Sequence, residues 1–126
     1  MRGSVDGFKG ETFLKKCKKK GKTITIVKAK DGKVFGAYTD LNFTRSDKWV
    51  VGNKNSFLFA FLDNKAIKCK CVNGLFEIDT SSGDLLYYGY DSLRILPDCN
   101  INSNSSGNEL GSYFEQSTLP TKYLAG

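Results

Sequence analysis

Apolar and polar residues alternate with two different periods along this chain of 126 residues. Near the N-terminus an apolar stripe that includes Phe13 and Cys17 has helical spacing, and it predicts one short helix over residues 10–20. Gly21 is expected to end this helix, because glycine readily adopts the left-handed conformation of a C-cap. Beyond Gly21 the period changes to two, which is typical of strands.

Strands account for most of the remaining pattern. Seven segments that alternate, or that are rich in β-branched and aromatic residues, are predicted to be strands: 23–27, 33–38, 56–62, 66–72, 75–78, 85–88 and 93–96. Asp31-Gly32 predicts a hairpin with a type I′ turn, in which both central residues have positive φ. Residues 57–62 are apolar throughout, which predicts a central strand buried between two layers.

These elements predict the fold class. One or two short helices and about seven strands joined by short turns favour a mainly β protein, a two-layer antiparallel β-sandwich. The length fits one domain, and no linker divides residues 1–126, so a single domain is expected. With 40% hydrophobic residues and nine Phe and six Tyr residues, the chain has the means to build one core.

The chain lacks the sequence features of a membrane or secreted protein. No apolar run approaches the ~18 residues that a membrane helix needs. The N-terminal region has no signal-peptide pattern, so a cytoplasmic or nuclear location is expected. In those compartments the four cysteines are expected to be reduced thiols.

Positive charge is concentrated in the first quarter of the chain. The formal net charge is +6, yet residues 9–33 hold ten lysines and only two acidic residues, so the remainder is slightly acidic. This asymmetry indicates an acidic partner, such as nucleic acid, anionic lipid or an acidic protein surface. The alternative is a solvated face that promotes solubility. The candidate binding residues, here called the basic surface, are Lys15, Lys16, Lys18, Lys19, Lys20 and Lys22.

Catalytic chemistry finds little support in the composition. The chain has no histidine, which removes the commonest general base and the histidine-dependent nucleophilic arrangements. No glycine-rich phosphate loop occurs. A four-thiolate zinc site normally offers two pairs of cysteines with two residues between the members of each pair, whereas here the only close pair, Cys69 and Cys71, has one residue between them. The sequence therefore predicts no enzyme activity, no metal and no cofactor.

Cys17 and Cys99 are the candidate redox residues. Cys17 lies at a predicted helix end among lysines, where a lowered pKa would favour the thiolate. Its place on the apolar stripe favours burial instead, and burial in apolar surroundings raises the pKa of a thiol.

Seven short motifs in order resemble a known family. The motifs are residues 2–8 (RGSVDGF), 21–26 (GKTITI), 35–39 (FGAYT), 56–59 (SFLF), 91–95 (DSLRI) with 99–100 (CN), 111–115 (GSYFE) and 123–126 (YLAG). Together they resemble a TLDc domain over essentially the whole chain. The positions that carry the resemblance most directly are Asp6, Gly7, Phe8, Phe35, Gly36, Asp91, Gly111, Tyr123 and Gly126.

The resemblance implies a β-sandwich with a few helices, found in oxidation-resistance proteins. Some members of this family bind and regulate the vacuolar proton-pumping ATPase, and the family has no agreed enzymatic chemistry. Three departures stand out: residues 82–89 lack the family's glycine-rich pattern, Phe43 stands where tryptophan is common, and family members continue beyond the YLAG element into a last strand. The domain is therefore expected to lack that strand, leaving a sheet edge exposed or covered by another segment.

Three functional hypotheses follow from the sequence. The first is a non-enzymatic module that binds a protein partner, such as the vacuolar proton-pumping ATPase, in oxidative-stress resistance. The second is a DNA-binding regulator whose lysine-rich helix contacts phosphates, with base readout left to Arg45, Asn100, Asn102 and Asn104 because the helix has no Arg, Asn or Gln. The third is a thiol-based peroxide scavenger or sensor.

Overall fold

The computed structural model confirms a mainly β fold with two antiparallel sheets and two short helices. It describes residues 1–44, 55–72, 84–89, 92–107, 110, 114–115, 118–119 and 123–124. The elements are α1 (Gly3–Asp6), α2 (Gly10–Cys17), β1 (Thr23–Lys28), β2 (Val34–Thr39), β3 (Phe57–Leu62), β4 (Lys65–Lys70), β5 (Leu86–Tyr88) and β6 (Leu93–Ile95). The strand predicted at 75–78 lies outside the described residues.

The first four strands form an antiparallel sheet in sequence order, with β1 and β4 at its edges. Its register pairs Ala37 with Thr25 on one side and with Leu58 on the other, and Leu58 pairs with Cys69. Because side chains alternate along each strand, this row of residues points to one face. Ala37, Leu58 and Cys69 are fully buried in a single core that also contains the side chains of β5 and β6.

The second sheet consists of β5 and β6 and closes the core from the opposite side. Leu86 pairs with Ile95 and Tyr88 with Leu93, and all four side chains are buried. Burial raises the pKa of the Tyr88 phenol far above its ordinary value, although the Thr25 side chain on β1 opposes the rise. The phenol therefore stays neutral where the two sheets meet.

A buried carboxylate fixes the start of β5 against β6. The Asp84 side chain is buried, and its Oδ2 lies 2.9 Å from Nε of Arg94. Arg94 also exchanges two backbone hydrogen bonds with Ser106, so the loop after β6 returns along the second sheet. This second sheet therefore has polar ties as well as apolar packing.

The β1–β2 hairpin is present, but its turn differs from the predicted type I′. The Gly32 amide donates to Ala29 O at 3.1 Å, and Ala29 and Lys33 close a three-residue loop. Only Gly32 has positive φ (89°) in this loop, so the chain makes an ordinary turn followed by a left-handed glycine. The Asp31 carboxylate accepts the Lys33 amide and stabilises this arrangement. The two-residue turn with positive φ at both positions occurs instead between β3 and β4, at Asp63 and Asn64.

Gly36 allows β1, β2 and β3 to pack closely at the centre of the sheet. A Cβ at this position would overlap the carbonyl oxygen of Thr25 and lie 2.7 Å from the Phe59 ring. Here glycine is required by close approach rather than by an unusual φ.

The prediction that β3 is buried on both faces is right at Phe59 but wrong at Phe61. Leu58 and Ala60 face the core and are fully buried, whereas Phe61 on the opposite face is 44% exposed. The physical reason is that β5 and β6 pack on the Leu58 side only. We call the opposite side of the four-stranded sheet the outer face.

The edge strand β4 is partly covered by a distant segment. Phe114 forms a bridge with Cys71, and the Glu115 amide donates to Lys70 O at 2.8 Å. A Glu115 carboxylate oxygen accepts the Lys70 amide in return. Residues 114–115 therefore cover this end of β4.

Candidate basic interaction surface

Helix α2 presents the first two lysines of the basic surface. Phe13 is the anchor: its ring is buried and meets the Phe43 ring edge-on, with the centroids 4.9 Å apart. With this face of the helix against the core, Lys15 and Lys16 are exposed. Amphipathic spacing over only two turns is enough to orient them.

The helix ends at Cys17, and the prediction that it continues to residue 20 is wrong. Lys18 has extended backbone (ψ 131°) and forms a parallel bridge with Phe43. The Lys19 amide donates to Phe43 O at 3.1 Å, and Lys19 itself has positive φ (56°). Backbone pairing with a distant residue thus replaces the last helical turn.

Gly21, which was predicted to end the helix, has another role. It does adopt positive φ (74°), but the C-cap is Lys18. The Gly21 amide donates to Oδ1 of Asn42 at 2.9 Å. This hydrogen bond and the bridge to Phe43 hold the chain between α2 and β1 against residues 42–43.

The basic surface therefore combines a helix with an irregular connecting segment. All six of its side chains are exposed: Lys15, Lys16, Lys18, Lys19, Lys20 and Lys22. Two lie on α2 and four follow it, so the predicted lysine-rich helix is corrected to a helix end and the irregular connection after it. Since the connection is tied to Phe43 and Asn42, its lysines have a defined backbone.

One lysine of the basic surface is engaged within the protein. Lys16 Nζ lies 2.7 Å from Oδ1 of Asp6, whose Oδ2 accepts the Arg2 amide at 2.7 Å. The hydrogen bond from Lys16, and then that from Arg2, lowers the pKa of the Asp6 carboxyl. Within the described part of the chain, Lys16 is the only member of the basic surface in an ion pair.

The other motif positions that the structure describes have structural roles. Gly7 has positive φ (91°), and Phe8 is half-buried against the core with its carbonyl accepting the Asp98 amide. Phe35 is buried, and the Tyr123 hydroxyl donates to Phe61 O at 2.6 Å. Asp91, Gly111 and Gly126 lie outside the described residues.

The two candidate redox thiols, Cys17 and Cys99, are partly buried. Burial is the main cause that raises the pKa of Cys17, and it raises the pKa of Cys99 as well. For Cys17 burial outweighs the nearby lysines, which is the alternative that its place on the apolar stripe favours. Cys69 and Cys71 are buried. Among the described residues no three His, Cys, Asp or Glu side chains are grouped to hold a metal ion.

Of the residues proposed for base readout, Asn102 has its side chain hydrogen-bonded within the protein. The Asn102 amide group donates to Pro97 O at 2.7 Å, and its Oδ1 accepts the Asn104 amide. Asn100 is exposed, and Arg45 lies outside the described residues. Asn102 therefore shapes its own loop.

Sequence reasoning missed the outer face of the four-stranded sheet, which carries exposed Ile24, Ile26 and Phe61. The alternation in residues 23–28 contained the signal, because it places Ile24, Ile26 and Lys28 on one side.

Comparison with known proteins gives one match. The family model described as TLDc domain matches residues 2–122. No curated protein and no solved structure matches the chain. Among the described residues, no helix has the length and apolar character to cross a lipid bilayer.

Proposed function

The chain belongs to the TLDc domain family, and from this premise we propose that it is a non-enzymatic interaction module in oxidative-stress resistance. It acts in the cytoplasm or nucleus and binds an acidic surface of a protein partner, such as the vacuolar proton-pumping ATPase. The partner contacts the basic surface, and the folded domain supplies a fixed frame for the lysines.

The arrangement of the basic surface is the observation that carries this proposal. Six exposed ammonium groups follow one another from α2 to the start of β1, and one of them is paired with Asp6. Flexible lysines attract acidic groups over several ångströms and speed encounter, but they do not impose the fork geometry that arginine gives. A surface of this kind suits a carboxylate-rich protein face.

The chemistry of the chain supports a role without catalysis. It contains no histidine. Burial holds the pKa of Cys17 and Cys99 above the ordinary thiol value, which disfavours a nucleophilic thiolate. A thiol-based peroxide scavenger or sensor is therefore the weakest of the three hypotheses.

A charge-reversal experiment tests the proposal. The full chain is immobilised, and binding of purified vacuolar proton-pumping ATPase is measured at low and at about 0.15 M salt. The Lys20→Glu/Lys22→Glu variant is expected to lose binding with an unchanged melting temperature. The Lys30→Glu/Lys65→Glu variant carries the same change in charge at exposed positions elsewhere, and it is expected to bind like the unmodified chain.

Two results would overturn the proposal as stated. Equal loss of binding in both variants would mean that overall charge, not the basic surface, is recognised. Failure of the unmodified chain to bind the pump at low salt would remove this partner.

DNA binding is the second candidate, and the same lysines favour it. A labelled duplex of arbitrary sequence is mixed with the full chain over a range of salt concentrations. Binding that weakens steeply with salt and is lost in Lys20→Glu/Lys22→Glu would replace the protein partner by DNA. If an acidic protein is the partner, the duplex is expected to remain unbound at about 0.15 M salt.

A further inference from the structure

The outer face of the four-stranded sheet is an ordered array of side chains. The register places four residues in each of three cross-strand rows: Ile24–Tyr38–Phe57–Lys70, Ile26–Gly36–Phe59–Lys68 and Lys28–Val34–Phe61–Ala66. Directly paired residues of antiparallel strands share a face, so these rows form one surface. It shares no residue with the basic surface.

This face is apolar, and Ile24, Ile26 and Phe61 are open to solvent, whereas Phe59 at its centre is buried. Ile24 is 61% exposed and Ile26 is 64% exposed, and Phe61 is exposed as well. Leu58 and Ala60, on the other face of the same sheet, are fully buried. Exposed apolar side chains grouped on one face of a folded domain mark an interaction site more often than singly scattered ones do.

Aromatic packing gives the face a firm centre. Tyr38 stacks on Phe57 with ring centroids 5.1 Å apart. The Phe57, Phe59 and Phe61 rings then follow one another along β3, with centroids 6.4 Å and 6.2 Å apart. Each ring limits the movement of the next, so the apolar floor is preorganised for binding.

Lysines border the apolar floor at both edges of the sheet. Lys68 and Lys70 lie on β4, and Lys28 lies on β1. Lys68 Nζ sits 3.9 Å from the centroid of the Phe57 ring, a cation–π contact that holds the charge next to the floor. The three rows contain no carboxylate. The rows are therefore apolar at their centre and end in lysines, and at the β4 rim the Glu115 carboxylate lies beside the Lys70 amide.

We propose that the outer face binds an acidic amphipathic helix of a partner protein. The apolar side of the helix packs on the Ile24, Ile26 and Phe61 side chains, and its flanking carboxylates meet the lysines at the rims. Four strands span about 14 Å, which accommodates a helix of ~10 Å diameter lying on the sheet. This inference goes beyond the proposed function and does not depend on it.

Charge also decides against a second copy of this chain. Two outer faces brought together would place the rim lysines of both copies in one interface, with no carboxylate in the rows to neutralise them. Burial of unpaired like charges opposes such contact. An acidic partner removes this penalty and gains ion pairs at the rims.

Selection from a random peptide display library tests the proposal. The full chain is the bait, and the Ile26→Ser/Phe61→Ser variant serves for counter-selection, since both side chains are exposed and the fold is expected to be retained. Enriched peptides are expected to combine apolar residues at helical spacing with flanking Asp and Glu. Enrichment of basic peptides, or of peptides with no charge bias, would overturn the proposal.

Calorimetry with the best enriched peptide then locates the site. Ile26→Ser is expected to weaken binding by about tenfold or more, because an apolar contact is lost. Lys68→Glu is expected to weaken it by about fivefold to tenfold through repulsion. Ile101→Ser is the matched control, an exposed apolar residue outside the outer face, and it is expected to leave the affinity unchanged.

Other occupants give distinguishable results. If phosphatidylserine vesicles bind and this binding is lost in Ile26→Ser, the outer face binds a membrane surface and not a helix. If sedimentation shows a dimer and Ile26→Ser is a monomer, the outer face binds a second copy of this chain and not a helix. Lys20→Glu/Lys22→Glu is expected to keep peptide binding, so failure of the outer face and failure of the basic surface are separate outcomes.

Discussion

The ammonium group of Lys16 lies 2.7 Å from the carboxylate of Asp6, and this ion pair joins α2 to α1. The Asp6 carboxylate also accepts the backbone amide of Arg2, so one side chain ties together both ends of α1 and the next helix. An exposed ion pair contributes little to global stability. Its effect is local: it holds one lysine of the basic surface in place and removes that charge from contact with a partner.

The titration of Asp6 reports on this pair. Its pKa lies below the ordinary value of 3.8, so the ion pair is complete at neutral pH and is lost as the pH falls through the lowered pKa. NMR detection of the Asp6 carboxyl carbon is expected to give a midpoint below 3.8. Lys16→Met should move this midpoint upward, whereas Lys15→Met should leave it in place. A midpoint that ignores Lys16 would contradict the assignment.

Replacing Gly36 with alanine should destabilise the sheet. The added methyl group would overlap the Thr25 carbonyl oxygen and the Phe59 ring, and overpacking of this kind costs about 1–3 kcal/mol. Chemical denaturation measures the change in the free energy of unfolding. The Gly36→Ala/Phe59→Leu double variant relieves contact with the ring but not with the carbonyl. In the Phe59→Leu background, Gly36→Ala should therefore still lower the free energy of unfolding, but by less than it does in the unmodified chain. If it caused no loss in that background, the whole cost would come from the Phe59 ring.

Cys17 and Cys99 should react slowly with alkylating reagents at neutral pH. Burial raises the pKa of both thiols, so the reactive thiolate appears only above the ordinary value of 9.0. Mass spectrometry after timed alkylation with iodoacetamide gives the rate at each site as a function of pH. In denaturant the midpoint should fall to the ordinary value. A native midpoint below 9.0 for Cys17 would revive the redox hypothesis.

Local alternation made much of the fold predictable. Residues 23–28 and 65–70 reveal their strands through alternation alone, and the exposed Lys68 and buried Cys69 follow directly from it. The glycine at position 32 indicated a hairpin, although the length of the loop was misjudged. Loop length depends on how Ala29 and Lys33 pair, and the dipeptide pattern does not contain this information.

Features set by distant contacts were not predictable. The lysines of residues 18–20 continue a pattern that is compatible with a helix. The Lys19 amide nevertheless donates to the Phe43 carbonyl oxygen, and the helix ends before it. The sequence near Lys19 does not indicate this contact with Phe43. Likewise, apolar side chains on both sides of β3 indicate that both sides can be buried, but they do not indicate whether other elements pack on both sides. The exposure of Phe61 is therefore seen only in the three-dimensional structure.

The bridge between Lys18 and Phe43 limits what a fragment of this protein can reproduce. A synthetic peptide of residues 10–22 would carry every amine of the basic surface, but α2 has eight residues and so short a helix is unstable in isolation. Without residues 42–43 its backbone would be free to rearrange. Such a peptide would imitate the charge of the domain and not its shape, so a competitor designed to mimic this surface needs a scaffold that supplies the missing contacts.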